Sequence, residues 1–598
     1  MTRKEFQTLT RERIIYLDGA TGSNLVKAGM PSGVCPEQWI LEHKDVFLEL
    51  QKAYVNAGSD ILYTPTFGAN RVKLKEYGLQ GQIKEMIAGL VSLSKQAAAS
   101  AEGRKVYVAG DLTMTGEQLA PIGMMELEEL IDIYKEQISC LKEAGVDLLV
   151  IETMMSLAET RAALIAAREV CDLPVMVTMS FEPSGKTLFG TDARTAAIVA
   201  ESLGADAVGI NCSAGPVAMR GIVAAMAAVT RIPLIAKPNA GLPTLDASGK
   251  TCYDMSAAEF AEEMELLVEA GATVLGGCCG TAPEYIAALH AKFSENAAGT
   301  DTSATCAYKK ALQVDRCPAG KHFVTSQCMT VEFGLDDPVL IIGERINPTG
   351  NEELQESLLD DDLDTVLELA EDQEDDGACI LDVNLGMSGI DEKEMMLRAI
   401  DEISFVTNLP LSLDSVSAEV LEAALRRYPG RALINSITLE AEKIEKLLPL
   451  AVKYGAMFVL MPLSDKGLPQ DFEERKQIIQ KIYGKALELG MSKDDMVVDG
   501  LVTAVSTNRK AALEALETIQ YCKENGFATV CGLSNISYGM PERSMINAAF
   551  MQLARKSGLN LAIANPAQEL NEVNEFAMDL LMDKEDAALK YIEYTKTL

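Results

Sequence analysis

Two successive sets of eight short apolar runs, each closing on small or polar residues and followed by an amphipathic stretch, organise this chain. The first set falls at 14–20, 61–67, 106–112, 147–153, 174–181, 207–212, 233–240 and 274–280. Between the runs, segments such as 126–144 and 257–270 carry apolar residues three and four apart, the spacing of a helix with one buried face. Strand followed by helix, repeated, predicts parallel strands covered by helices, and eight repeats close into a (β/α)8 barrel. The second set, at 340–346, 379–385, 410–415, 432–438, 457–463, 496–501, 529–535 and 561–565, repeats the pattern. The expected fold is therefore α/β, two consecutive (β/α)8 barrels. A chain of 598 residues is also too long for one core. From 294 to 333 the alternation lapses into Ala, Gly, Ser, Thr and scattered polar residues, which reads as a linker between domains 1–293 and 334–598. The tail from 565 reads as a helix leaving the second barrel toward a further domain.

Barrels of this kind build their sites from the loops at the strand C-termini. In the first set the last run ends Gly276-Gly277-Cys278-Cys279-Gly280-Thr281. Neighbouring side chains in a strand point to opposite faces, so two adjacent thiolates reach one ion only where the strand ends and glycines let the backbone bend. A third thiolate is offered by Cys212, which closes the run Val208-Gly209-Ile210-Asn211-Cys212. A vicinal cysteine pair alone is more often a packing feature. Three cysteines at two strand ends, with one position left open, form the donor set of a catalytic zinc.

The ends of the second set carry different chemistry: Glu344 and Asn347, Asp382 and Asn384, Asp414, Asn435, Asp499 and Asn535. One strand-end Asp is commonly a helix cap, but acids and amides from several strands are hard to explain that way. Without metal ligands among them, they suit a neutral, flat, multiply hydrogen-bonding ligand such as a pterin, whose amidine-like edge offers donors that a carboxylate takes in pairs.

Charge sets the excluded partners. With 88 acidic against 53 basic residues, the formal net charge of −35 argues against nucleic acid or an anionic membrane surface. The first residues lack the apolar core of a signal peptide, and no apolar run reaches spanning length, so a cytoplasmic protein is expected.

The motifs carry a resemblance over nearly the whole chain. With Leu17-Asp18-Gly19-Ala20-Thr21-Gly22, Gly209-Ile210-Asn211-Cys212 and Gly276-Gly277-Cys278-Cys279-Gly280, the first half resembles the zinc-dependent homocysteine S-methyltransferase family. The second half resembles the pterin-binding methyltransferase family, with Gly343-Glu344-Arg345-Ile346-Asn347-Pro348, Leu413-Asp414-Ser415, Ile434-Asn435-Ser436, Val498-Asp499-Gly500 and Gly532-Leu533-Ser534-Asn535 in the expected order. The pairing resembles the amino-terminal half of the cobalamin-dependent methionine synthase family. This resemblance implies a methyltransferase in which Cys212, Cys278 and Cys279 hold Zn²⁺ and homocysteine sulfur takes the open position. It implies that Glu152 meets the homocysteine ammonium, that backbone N–H groups around Gly19, Ala20 and Thr21 meet the carboxylate, and that Asp18 and Asn211 complete that site. For methyltetrahydrofolate it implies Asp414, Asn435 and Asp499 on the ring and Asn535, a catalytic residue, near N5, with Glu344, Asn347, Asp382, Asn384, Ser537 and Arg543 around them.

Both implied methyl transfers need cobalamin. The Asp-x-His-x-x-Gly signature of a corrinoid domain is absent, and His43, His290 and His322, the three histidines, lack its context. The corrinoid is thus expected on a separate protein or on a missing cobalamin-binding domain. Two alternatives stay open: a methyltetrahydrofolate/corrinoid methyltransferase of one-carbon metabolism with another thiol acceptor or methyl donor, and a non-catalytic assembly or ligand-binding protein, against which the intact cysteine and acid sets argue.

Overall fold

The computed structural model describes residues 1–245, 251–293, 309, 311–312, 314, 316–568, 570 and 573–598. The chain divides into two compact units, Met1–Cys317 and Pro318–Leu598.

In the first unit all eight expected strands form one parallel sheet: β1 (Ile15–Tyr16), β2 (Ile61–Tyr63), β3 (Tyr107–Leu112), β4 (Leu148–Met154), β5 (Val175–Met179), β6 (Ala207–Cys212), β7 (Leu234–Pro238) and β8 (Ala272–Leu275). The order runs β1-β8-β7-β6-β5-β4-β3-β2, and a parallel bridge from Leu17 to Ile61 brings the two ends together. Several strands stop short of their apolar runs. The strand in the run 274–280 stops at Leu275, and the residues beyond it stay bonded to the ends of β1 and β7, Gly277 N–H to Asp18 O and Cys278 N–H to Pro238 O. The residues beyond the strand are the ones that build the site.

Helices cover the outside for the reason their spacing gives. In Leu127–Ala144 the buried residues are Leu130, Ile131, Ile133, Tyr134, Gln137, Ile138 and Leu141, one face of the helix. Inside, every second strand residue points to the axis, and Ile15, Ile61, Ala109, Leu148, Val150, Met176, Ala207, Ile235 and Val274 form an apolar centre. The helix α1 (Arg3–Glu12), started by a Thr2–Glu5 capping box, puts Phe6 into the same cluster and so joins the terminal helix to the barrel core.

The second unit is a closed barrel of β11 (Leu340–Ile346), β12 (Ile380–Asn384), β13 (Leu411–Asp414), β14 (Leu433–Ile437), β15 (Met457–Leu460), β16 (Met496–Asp499), β17 (Ala528–Gly532) and β18 (Leu561–Ala564). Two parts differ from the expectation. Within the stretch read as linker, residues 294–308 lie outside the described residues, but β9 (Lys321–Thr325) and β10 (Thr330–Gly334) pair as an antiparallel hairpin. Val324, Val331 and Phe333 of this hairpin join the barrel centre of Ile342, Ile380, Leu433, Met457, Val497, Val530 and Leu561. Its apolar residues are too few and too mixed with Lys, His, Thr and Glu to signal a strand pair before the barrel gives them a surface. Nor does the tail leave: helices Glu575–Leu581 and Ala587–Thr595 bury Ala577, Leu580, Leu581 and Tyr591 in the core with Phe550 and Ile546, and Tyr591 Oη donates to Pro541 O and Glu542 O. No helix among the described residues is long and apolar enough to cross a membrane.

Phe333 is 1% exposed and stacks on His322 at 5.0 Å, so Phe333→Ala is expected to destabilise the second unit by about 3–5 kcal/mol. The only tryptophan, Trp39, lies in the first unit. In urea the circular-dichroism transition should therefore move to lower denaturant while the Trp39 fluorescence transition stays in place.

Candidate functional sites

The first site forms where β6 and β8 end. Cys212 closes β6 with φ of 60° and Ser213 follows at 59°, a left-handed exit that few non-glycine residues adopt. Beyond β8 the chain folds into a turn in which Thr281 N–H donates to Cys278 O at 3.1 Å and Ala240 N–H to Cys279 O at 3.0 Å. Gly280, at φ of 85°, lies so close to the Tyr253 ring that a Cβ would overlap it. This turn brings both neighbouring thiols to one side. The sulfurs of Cys212, Cys278 and Cys279 lie within 4.8 Å of one another, with Cys212 and Cys279 4.0 Å apart. Three thiolates about 2.3 Å from a tetrahedral ion stand roughly 3.8 Å apart, so the trio fits a zinc-sized cation. Contact with Cys212 and then Cys278 pulls the Cys279 thiol below the ordinary value, whereas contact with Cys212 and then Cys279 pushes Cys278 well above it.

These sulfurs line a cavity of about 360 Å³ with Asp18, Gly19, Ala20, Thr21, Tyr63, Asp111, Glu152, Thr153 and Lys237. Asp18, Gly19, Ala20, Thr21 and Glu152, expected from the sequence, are thus brought together with the cysteines. Ala20 N–H already donates to Thr281 Oγ1 at 3.2 Å. Asn211 is not in the lining. Its side chain is buried between strands, with Oδ1 accepting from Thr153 N at 3.0 Å and Nδ2 donating to Thr153 Oγ1 at 2.8 Å and Glu152 Oε2 at 3.5 Å.

Lys237 and Asp111 were missed by sequence reasoning. Lys237 lies inside the apolar run of β7 and is 4% exposed, with Nζ 3.5 Å from Asp18 Oδ1, 3.6 Å from Glu152 Oε2 and 4.0 Å from the Tyr63 ring centre. Burial alone would lower its pKa, but the Glu152 and Asp18 carboxylates hold it well above the ordinary lysine value. Burial pushes Asp18 up to about 6, partly offset by Lys237, so Asp18 is mainly ionised at neutral pH. Burial, followed by the charge of Glu152, drives Asp111 well above the usual carboxylate range. A lysine in an otherwise apolar strand was the one available signal, because such a charge is buried only when it is paired.

The second site is a polar ring above the apolar centre of the other barrel. Asn384, Asp414 and Asn435 are neighbours in the strand register, and Asp382 lies one inward step below Asn384. Asn384 Nδ2 donates to Asp414 Oδ2 at 2.9 Å, while Ser412 Oγ and Asn435 Nδ2 donate to Asp382 Oδ1 at 2.6 and 3.1 Å. Asp499 closes β16 and accepts from Leu501 N at 2.6 Å. Glu344, on β11, accepts from Ser534 Oγ at 2.9 Å. Asn535 is exposed on the short 3₁₀ turn Leu533–Ser537, its amide folded over Gly532 where any Cβ would lie 2.7 Å from Nδ2. Burial, then the Asp414 charge, push Asp382 up to about 7, and burial pushes Asp499 up to about 6.

Three further residues expected around the ligand have local partners. Asn347 Oδ1 accepts from Thr349 N at 2.9 Å. Arg543 donates to Ser537 Oγ at 3.0 Å and Ser534 O at 2.8 Å, so Arg543 and Ser537 brace the turn that carries Asn535. Short polar side chains beside turns bond first to their own loop, which the sequence order of the motif does not reveal.

Two outcomes follow. Lys237→Met leaves Asp18 and Glu152 buried without their cation and is expected to cost about 3–5 kcal/mol in the first unit, read as an earlier Trp39 unfolding transition. In the second unit, Asp382 and Asp499 hold a proton more tightly folded than unfolded, where they titrate near 3.8. Their contribution is complete below that pH and is withdrawn as pH climbs through 6 to 7. Melting of the second unit should therefore shift to lower temperature between pH 5 and pH 8 (roughly the span of these titrations). Asp382→Asn should flatten that dependence.

Residues 15–293 match the family model described as homocysteine S-methyltransferase, and residues 343–565 match that described as pterin binding enzyme. Methionine synthase of Mycobacterium tuberculosis (strain ATCC 25618 / H37Rv) is 28% identical over 607 residues, covering 96% of this chain and 50% of that protein. Methionine synthase of Mycobacterium leprae (strain TN) is 28% identical over 613 residues, covering 96% of this chain and 49% of that protein. The chain thus spans about half the length of these curated relatives. Among solved structures, the metallated form of the homocysteine methyltransferase MmuM from Escherichia coli aligns over 48% of this chain and 98% of its own, at 24% identity and a TM-score of 0.41.

Proposed function

From residues 15–293, which belong to the homocysteine S-methyltransferase family, and residues 343–565, which belong to the pterin-binding enzyme family, we propose a two-site methyltransferase that carries a methyl group from 5-methyltetrahydrofolate, through a corrinoid, to the sulfur of homocysteine. The observation that carries the reading is the meeting of three cysteine sulfurs with Asp18, Glu152 and the 19–21 backbone in one amino-acid-sized cavity.

In the first barrel Cys212, Cys278 and Cys279 would hold Zn²⁺, which supplies a lowered thiol pKa at the acceptor sulfur so that it reacts as a thiolate near neutral pH. Glu152 and Asp18 present carboxylate oxygens to the substrate ammonium. The backbone at Gly19 and Thr21 faces its carboxylate. The cavity walls of Tyr63, Leu25, Ile40 and Met30 keep water from the methylene groups.

In the second barrel Asp414 and Asp499 accept from the amino and ring N–H groups of the pterin, and Asn435, aimed by Asp382, adds an amide contact. The Asn535 amide oxygen accepts from N5 when that nitrogen carries a proton, which favours the form that releases a methyl group. The corrinoid enters as a methyl carrier supplied by another polypeptide or another part of a longer one. Its macrocycle is far larger than the first cavity, so it is expected to present its methyl group at the mouth. The protein acts in the cytoplasm, where both small substrates are available.

Zinc-loaded protein given labelled methyltetrahydrofolate and homocysteine should form labelled methionine only when reduced cobalamin is added. Cys279→Ser should abolish bound zinc and labelled methionine but leave folate affinity within about twofold, since sites built from separate units with no shared residues act additively. Asp499→Ala should weaken folate binding by about tenfold or more and spare zinc. Label that fails to reach methionine with zinc and cobalamin present would overturn the assignment of acceptor or donor.

A further inference from the structure

We propose that Asn211 is a positioning residue that holds Thr153 in a left-handed backbone conformation and thereby aims Glu152 into the first cavity. The inference rests on the homocysteine reading of that cavity and assigns Asn211 a role other than direct substrate contact.

Thr153 has φ of 60°. For a β-branched residue that region is a true outlier, and it persists only when its surroundings over-determine it. Thr113 Oγ1 holds the Glu152 carbonyl that leads into Thr153 at 2.8 Å, and the grip on Thr153 itself comes from one side chain. Asn211, with no solvent exposure, accepts from Thr153 N at 3.0 Å and donates to Thr153 Oγ1 at 2.8 Å, so one amide grips both the backbone and the side chain of the strained residue. The same Nδ2 lies 3.5 Å from Glu152 Oε2 and, at the longer distance of 4.0 Å, faces Cys278 Sγ.

The fold explains why the grip matters. The ladder between β4 and β5 is regular up to Ile151–Val177, then shifts before Met154–Met179. Glu152 and Thr153 are the two residues inside that irregularity. An inward side chain at the start of a bulge is re-aimed by the backbone angle of the residue beside it. Glu152 keeps the inward parity of Leu148 and Val150, and the left-handed turn at Thr153 takes β4 out of the regular ladder directly after it, which fixes the tilt that sets Glu152 3.6 Å from Lys237 Nζ. Asn211 also stands next to Cys212, so one strand end fixes both a sulfur of the trio and the direction of the acid opposite it.

The test uses glycine, which takes φ near 60° without the steric penalty. If Asn211 works through the Thr153 backbone, its removal should matter much less once residue 153 prefers that conformation by itself. Homocysteine binding is measured by titration calorimetry on the zinc-loaded protein, with zinc content determined on each sample. Asn211→Ala is expected to weaken binding about thirtyfold, which corresponds to about 2 kcal/mol, with one zinc per chain retained. In the Thr153→Gly background the same Asn211→Ala change should cost about threefold or less.

An undiminished penalty in the glycine background would overturn the proposal and return Asn211 to direct contact with substrate. Loss of zinc from Asn211→Ala would also overturn it, placing the amide in support of the sulfurs. If Asn211→Ala alone does not fold, the double variant is compared with Thr153→Gly: folded protein within about threefold in affinity supports the clamp, and anything weaker overturns it. Native zinc-loaded protein that binds no homocysteine would instead overturn the functional reading on which the clamp rests.

Discussion

Everything distinctive in this chain depends on the twofold alternation of side chains along barrel strands. Inward positions occur at every second residue, and the central ones are taken by residues such as Ile235 and Val274 in one barrel and Leu433 and Val530 in the other. Only the last inward positions before each strand ends can be polar without unsealing the core. That leaves one or two functional side chains per strand, so each site has to be assembled from several strands, and each functional residue inherits the register of its ladder. Asn384, Asp414 and Asn435 stand level because the strands pair that way, with no loop needed to arrange them.

The two mouths answer the cost of buried charge differently. In the first, a lysine sits between two acids, and the Glu152 and Asp18 carboxylates hold Lys237 well above the ordinary lysine value in a buried place. In the second, the acids are relieved by amides and hydroxyls, Asn384 on Asp414, Asn435 and Ser412 on Asp382, Ser534 on Glu344. Neutral donors offset desolvation only partly, and Asp382 and Asp499 titrate near 7 and 6. A charged mouth of this first kind suits a zwitterion. A mouth of acids relieved by neutral donors rather than by a cation suits a flat neutral ring, which supplies N–H donors where the protein has left acceptors.

How much was legible in the sequence follows from how far apart the interacting residues are. The strands were legible because each apolar run is local, and the three cysteines because each sits where a run ends. Lys237 was not, since its meaning depends on Asp18 and Glu152, which reach it only when the barrel closes. The hairpin at Lys321–Gly334 was hidden for a similar reason: Val324, Val331 and Phe333 sit in short apolar stretches broken by polar residues and acquire a packing surface only from the barrel centre. Asn347, Ser537 and Arg543 stood in the right motif order, yet order says nothing of whether a side chain turns to a ligand or to its own loop. Asn211 joins them, because its partners lie on a strand end 58 residues away.

Strain is placed alike in both barrels. Thr153 follows Glu152 with φ of 60°, and Leu501 stands two residues after Asp499 with φ of 54°. In each case the N–H of the left-handed residue is held by a side-chain oxygen, Asn211 Oδ1 for Thr153 and Asp499 Oδ1 for Leu501. The difference lies in who supplies the oxygen. In the first mouth a separate amide stabilises the turn, so Glu152 does not hold its own loop and its carboxylate faces Lys237. In the second, the functional acid holds its own loop, so the loop and the ligand draw on one carboxylate, and the charge that Asp499 can offer depends on how firmly the Leu501 turn is kept. A carboxylate shared in this way is oriented before any ligand arrives, which reduces the ordering cost of binding. That preorganisation is the counterpart, in the second barrel, of the salt bridges that fix Asp18 and Glu152 in the first.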